Sequence, residues 1–111
     1  MRAEGIYVGI DVSKAELDIA VYPMGQGWSV SNDEEGIGQM VSRLQELSPV
    51  LVVLEATGGY ELPAVATLGT AGMPVVVVNP RHVRDFAKAT GKLAKTDTID
   101  AHLLAHFGEA V

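Results

Sequence analysis

The chain reads as an α/β protein built on a mixed sheet in the order βββαβαβα, with helices on both faces. Three observations carry that reading. Short apolar runs joined by tight polar turns fill the first third, the hydrophobic period then changes to that of a helix, and two continuous β-branched runs each lead into a helical segment.

GIYVGIDV (residues 5–12) and LDIAVYP (17–23) flank the polar turn SKAE as the arms of a hairpin do. GWSVSN (27–32) supplies a third strand after MGQG, making the opening an antiparallel meander. From Asp33 to Leu47, Ile37, Met40, Val41, Leu44 and Leu47 recur at helical spacing, with Asn32 or Asp33 as N-cap. PVLVVLE (49–55) reads as a continuous buried strand, a helix spans about 60–70, and MPVVVVN (73–79) is a second continuous strand; such runs between helices imply parallel pairing. Pro80 opens a basic amphipathic helix running to about Thr90, Gly91 stops it, and a final helix is expected from near Thr96. With the first strand central and the fourth beside it, Asp11 and Glu55 lie at adjacent carboxyl ends, where open sheets of this kind bind ligands.

A length of 111 residues fits one domain, and 48% hydrophobic with only 5% aromatic residues specifies an aliphatic core. The absence of cysteine excludes a disulfide framework or a thiolate metal site and fits a reducing compartment. No apolar run approaches the roughly 20 residues of a membrane helix, so a soluble, cytoplasmic protein is expected, with no membrane partner. The net charge of −6 opposes a uniformly nucleic-acid-binding surface. The positive charge is nevertheless local: Arg81, Arg84, Lys88, Lys92 and Lys95 stand against Asp85 alone, and Arg81, Arg84 and Lys88 share one helix face suited to following a phosphate backbone. A solvated surface helix is the plainer account of the same pattern.

Asp97 and Asp100 in KTDTIDAHLLA stand three apart at the expected opening of the last helix, and a helical wheel puts them on the side of Leu103, Leu104 and Phe107. Singly, each acid has an ordinary reading: Asp11 as a cap on the SKAE turn, Glu55 in solvent, an acid at a helix start. Converging, four carboxylates repel one another unless a cation intervenes, and hard oxygen ligands select Mg²⁺ or Mn²⁺. Such a set can hold two ions for phosphoryl displacement. His102 and His106, four apart, lack a third ligand and are expected at the exposed surface. Thr57, Gly58 and Gly59 read as a tight turn, and Lys14 as a turn lysine close to Asp11.

GIDVSK (9–14), EATGGY (55–60), VNPRHVRDFAKATG (78–91) and KTDTIDAHLLA (95–105) together resemble the N-terminal domain of the DEDD transposases of the one-hundred-and-ten group of insertion sequences, relatives of the Piv DNA invertases. The resemblance covers most of the chain. It implies an RNase H-like fold of the RuvC type, a DEDD tetrad at Asp11, Glu55, Asp97 and Asp100, and a Mg²⁺-dependent role in moving DNA, guided by a bridge RNA. Nucleic-acid contacts are then expected from Lys14, Arg81, Arg84, Lys88, Lys92 and Lys95, and a homo-oligomer in the full-length protein. It further implies a C-terminal domain bearing a nucleophilic serine, so residues 1–111 are expected to be one RuvC-like domain of a longer protein. Two other classes compete. A phosphotransferase of the actin and sugar-kinase type also opens on a GIDxG-like run, but Val12 and Ser13 stand where it needs Gly and then Thr or Ser. An inactive nucleic-acid-binding assembly domain would keep the fold without the chemistry.

Overall fold

The computed structural model describes residues 5–91 and 99–111. Among them the elements run β1 (Tyr7–Val12), β2 (Glu16–Tyr22), β3 (Gly27–Ser31), α1 (Glu34–Leu47), β4 (Leu51–Glu55), α2 (Leu62–Thr70), β5 (Val75–Val78), α3 (Pro80–Ala89) and α4 (Ala101–Ala110). The sheet order is β3-β2-β1-β4-β5. β1 pairs antiparallel with β2 and parallel with β4, so the first strand is central, as the apolar runs predict.

Strand alternation assigns the two faces. Val8, Ile10, Val12, Leu17, Ile19, Val21, Val52 and Leu54 point to one side, where Ile37, Met40, Val41 and Leu44 of α1 and Ala64 and Leu68 of α2 bury them. On the other side Val53 meets Val83 and Ala87 of α3 and Leu103 and Leu104 of α4. Truncating a fully buried aliphatic such as Leu44 or Leu104 would cost about 2–5 kcal/mol.

α4 lies directly on β1. A Cβ on Gly9 would collide with the carbonyl of Ala101 and the amide of Ala105, and one on Gly108 would meet Val53 Cγ2 at 2.6 Å. Gly9 therefore lets the strand backbone approach the helix backbone, and Gly108 leaves room for the Val53 side chain. An aromatic cluster joins α3, α4 and β2: His106 stacks on Tyr22 at 5.1 Å and meets Phe86 edge-on at 5.4 Å, and Phe86 meets Phe107 at 5.3 Å. His106 is thus half-buried, contrary to the expectation of an exposed histidine, because Tyr22 ends β2 on the face that α4 covers. His102 is exposed as expected.

The helix ends are specified locally. Asp33 caps α1 by accepting from the Gly36 amide at 2.8 Å, and Glu34 and Glu35 occupy its first turn, where the helix dipole favours anions. The Gly36 amide, and then the Ser31 hydroxyl at 2.9 Å, hold the Asp33 carboxyl below its usual range. Asn79 accepts from the Arg81 amide at 2.8 Å and Pro80 opens α3, which stops at Gly91 with φ 74°.

β5 forms as expected and is the sheet edge, where Val76 and Val77 remain 38% and 39% exposed. A continuous apolar run cannot distinguish an interior strand from an incompletely covered edge. The last helix starts at Ala101 rather than near Thr96, because the Asp100 side chain, on extended backbone with φ −122° and ψ 178°, accepts from the Leu103 amide and closes the helix there.

Candidate active site

Asp11 and Glu55 stand at neighbouring carboxyl ends of the sheet. Asp11 is the penultimate residue of β1 and Glu55 the last of β4, and the parallel register Ile10↔Leu54 places them side by side. Both alternate with buried valines and leucines, so both project to the α4 face and are half-buried. Asp100 reaches the same edge as the N-cap of α4, its side chain oriented by the Leu103 amide at 2.9 Å. The wheel placement of Asp100 on the helix is therefore replaced by a cap position. Asp97, Lys92 and Lys95 lie outside the described residues.

The electrostatics are those of crowded anions. Burial, then the charges of Asp18 and Asp100, push the Asp11 carboxyl above its ordinary pKa. Burial, then the charge of Asp11, push Glu55 up, partly offset by the Arg84 guanidinium. Arg84 thus brings the charge of α3 to the acidic edge, and Arg81 and Lys88 are exposed on the same helix. Lys14 is exposed on the β1–β2 turn. Among the described residues, no three Asp, Glu or His side chains already form a ready metal-binding group; the coupling is pairwise around Asp11.

Asp18, which sequence reasoning missed, is the residue directly across the ladder from Asp11. Counting outward from the SKAE turn pairs position 11 with 18, so the hairpin itself carried the signal. Ser29 Oγ on β3 donates to Asp18 Oδ1 at 2.5 Å. Asp11, Asp18, Ser29, Asp100 and His102 line an open recess of about 480 Å³ beside α4. The SKAE turn is closed by Ser13, whose hydroxyl donates to the Glu16 carbonyl at 3.0 Å and accepts from the Glu16 amide at 3.1 Å, leaving Asp11 without the capping role considered for it.

Glu61 was also missed. Its Oε1 accepts from the Thr57 hydroxyl at 2.6 Å and from the Thr57 and Gly59 amides at 3.1 Å each. The Thr57 hydroxyl foremost, with Glu61's own amide and those of Thr57 and Gly59, lowers its carboxyl to about 2. The turn after Glu55 is thus folded around a buried carboxylate, and Gly58 and Gly59 supply the positive φ values of 83° and 127° that it requires.

The oxygen-only donors Asp11, Glu55 and Asp100 match a hard divalent cation in kind.

The chain is 30% identical over 108 residues to the pilin gene-inverting proteins of Moraxella lacunata and Moraxella bovis, an alignment covering 92% of this chain and 34% of theirs. It therefore spans about a third of the length of these relatives. The RuvC structure from Thermus thermophilus superposes with a TM-score of 0.58 at 25% identity, covering 81% of this chain and 71% of that one. The fold is the RNase H-like fold of the RuvC type. No helix among the described residues is long and apolar enough to cross a membrane. The profile of the DEDD transposases of the IS110 type matches residues 8–110, and the chain belongs to that transposase family.

Proposed function

We propose that this chain is the catalytic domain of a DNA transposase or site-specific recombinase, in which Asp11, Glu55, Asp97 and Asp100 hold Mg²⁺ or Mn²⁺ for strand cleavage and transfer. The observation that carries the reading is the placement of Asp11, Glu55 and Asp100 along one sheet edge, the first two at adjacent strand ends and the third capping the helix that packs on β1. Bound there, a divalent ion would neutralise charge developing on a phosphodiester and activate the attacking oxygen.

The chain's own residues supply the rest. Asp100 is aimed by its capping bond, and the Arg84 guanidinium partly offsets the upward push of burial and of Asp11 on the Glu55 carboxyl. Arg81, Arg84 and Lys88, with Lys14, Lys92 and Lys95, follow the phosphate backbone and set its register without reading sequence. In the longer protein a second domain brings a nucleophilic serine, a bridge RNA selects the DNA, and a homo-oligomer brings ends together in the cytoplasm. Relatives three times the matched length support a further domain.

The test is strand exchange by the full-length protein on DNA carrying its element ends, with Mg²⁺. Asp11→Asn should abolish the reaction, a loss of at least about 10³-fold, while leaving DNA binding intact. Retained activity would remove Asp11 from the chemistry.

A further inference from the structure

We infer that Asn32 is a positioning residue for the acidic site: its one side-chain amide group locks the turn that follows Asp11 to the turn that follows Glu55. Asn32 directly follows β3 and belongs to neither of the strands that bear those acids. Its Nδ2 donates to the Ser13 carbonyl at 2.8 Å and to the Tyr60 carbonyl at 3.2 Å, and its backbone amide donates to the Ala15 carbonyl at 2.9 Å. Ser13 lies two residues beyond Asp11, and Tyr60 five beyond Glu55.

The link continues inward from Tyr60. The next residue, Glu61, gathers Thr57 and Gly59 onto one carboxylate oxygen, and the Ala56 amide donates to the Val78 carbonyl at 3.0 Å. Hydrogen bonds joined by the peptide link from Tyr60 to Glu61 therefore run from the turn after β1 through Asn32 to Thr57, two residues beyond Glu55. Asp11 and Glu55 lie one position beyond the last parallel pair of β1 and β4, Ile10↔Leu54. Asn32 ties together the two turns that follow them.

The chemistry demands a donor. Two carbonyl oxygens converge on one atom, and of the uncharged side chains of this length only an amide nitrogen offers two N–H groups. The Oδ1 of the same amide is buried with no donor among the described residues, so the nitrogen, not the oxygen, gives the side chain its place. Rotation of the amide would set oxygen against two carbonyls.

This role rests on the metal-site reading above, and the test separates the two. Mn²⁺ affinity of the protein is titrated for the parent, Asn32→Ala and Asn32→Asp, with thermal unfolding followed for each. The clamp predicts weaker Mn²⁺ binding by about 10–100-fold in Asn32→Ala, as for other groups that orient ligands without touching the metal. Asn32→Asp should be weaker still, although its added negative charge would by itself favour a cation, because it turns an acceptor toward both carbonyls. Parental affinity in both folded variants, or an isosteric Asp that binds as well as Asn, overturns the clamp. Should the parent itself bind no Mn²⁺, the metal-site reading fails instead, and amide exchange decides the clamp. Faster exchange at both residues 14–16 and 57–60 in Asn32→Ala sustains it; a change in one turn or neither overturns it.

Discussion

Asp18 on β2 sits directly opposite Asp11 on β1, two carboxylates facing each other across an antiparallel ladder at the edge where the proposed metal site lies. Like charges in that relation destabilise a sheet by roughly 0.2–1 kcal/mol. Asp18→Asn keeps an acceptor for Ser29 Oγ and removes the repulsion. Without metal at pH 7, urea denaturation should find the variant more stable by about that amount. Asp11 has a raised folded-state pKa, so its penalty is absent below the unfolded value and develops as pH rises through the folded one. The gain should accordingly vanish in acid. Equal stabilities at pH 7 would show that the two charges do not interact.

Glu61 carries the opposite sign. Its folded pKa of about 2 lies below the ordinary 4.5, so its contribution is fully present above that ordinary value and is lost as pH falls toward 2. Glu61→Gln should cost about 1–3 kcal/mol at neutral pH, since a charged acceptor of three hydrogen bonds is replaced by a neutral one. The difference from the parent should shrink between pH 4.5 and 2. A pH-independent difference in denaturation midpoints would assign the effect to packing rather than charge.

Gly9→Ala tests the seating of α4. The added methyl meets the Ala101 carbonyl and the Ala105 amide, backbone atoms that can yield only if the helix lifts. A loss of roughly 1–3 kcal/mol or more is expected by chemical denaturation. Lifting α4 also carries Asp100 away from Asp11, so divalent-ion binding should weaken in the protein that remains folded. A variant as stable as the parent would mean that α4 packs elsewhere.

Arg81→Glu with Lys88→Glu probes α3 without touching Arg84, whose charge reaches Glu55. If both residues neutralise phosphates, DNA affinity falls and the slope of log K against log salt drops by about 2. An unchanged slope in fluorescence anisotropy titrations would leave α3 as ordinary surface.

Much of this arrangement was legible in the residues. The change of period at Asp33 separated the meander from the crossover units, and the apolar run before Glu55 ordered β4 beside β1. Asp11 and Glu55 could be placed because a strand end is a position that alternation and turn residues define. Asp100 was placed on a helix face instead of at its cap, since a wheel treats an N-cap and a first-turn residue alike. Asp18, Asn32 and Glu61 were overlooked for different reasons. The first depends on hairpin register, which counting from the turn supplies. Asn32 depends on a hydrogen bond to position 60 that no local pattern encodes, whereas Glu61 bonds to Thr57 and Gly59 within its own turn, which was read as a tight turn without its carboxylate. His106 escaped because its partners Tyr22 and Phe86 come from two other elements.

The most direct measurement is anomalous diffraction from crystals of the protein soaked in Mn²⁺. The account predicts a peak bounded by the carboxylates of Asp11, Glu55 and Asp100 at the carboxyl edge of β1 and β4. At saturating Mn²⁺, an empty edge with these side chains still apart, or peaks only at other carboxylates, would contradict it.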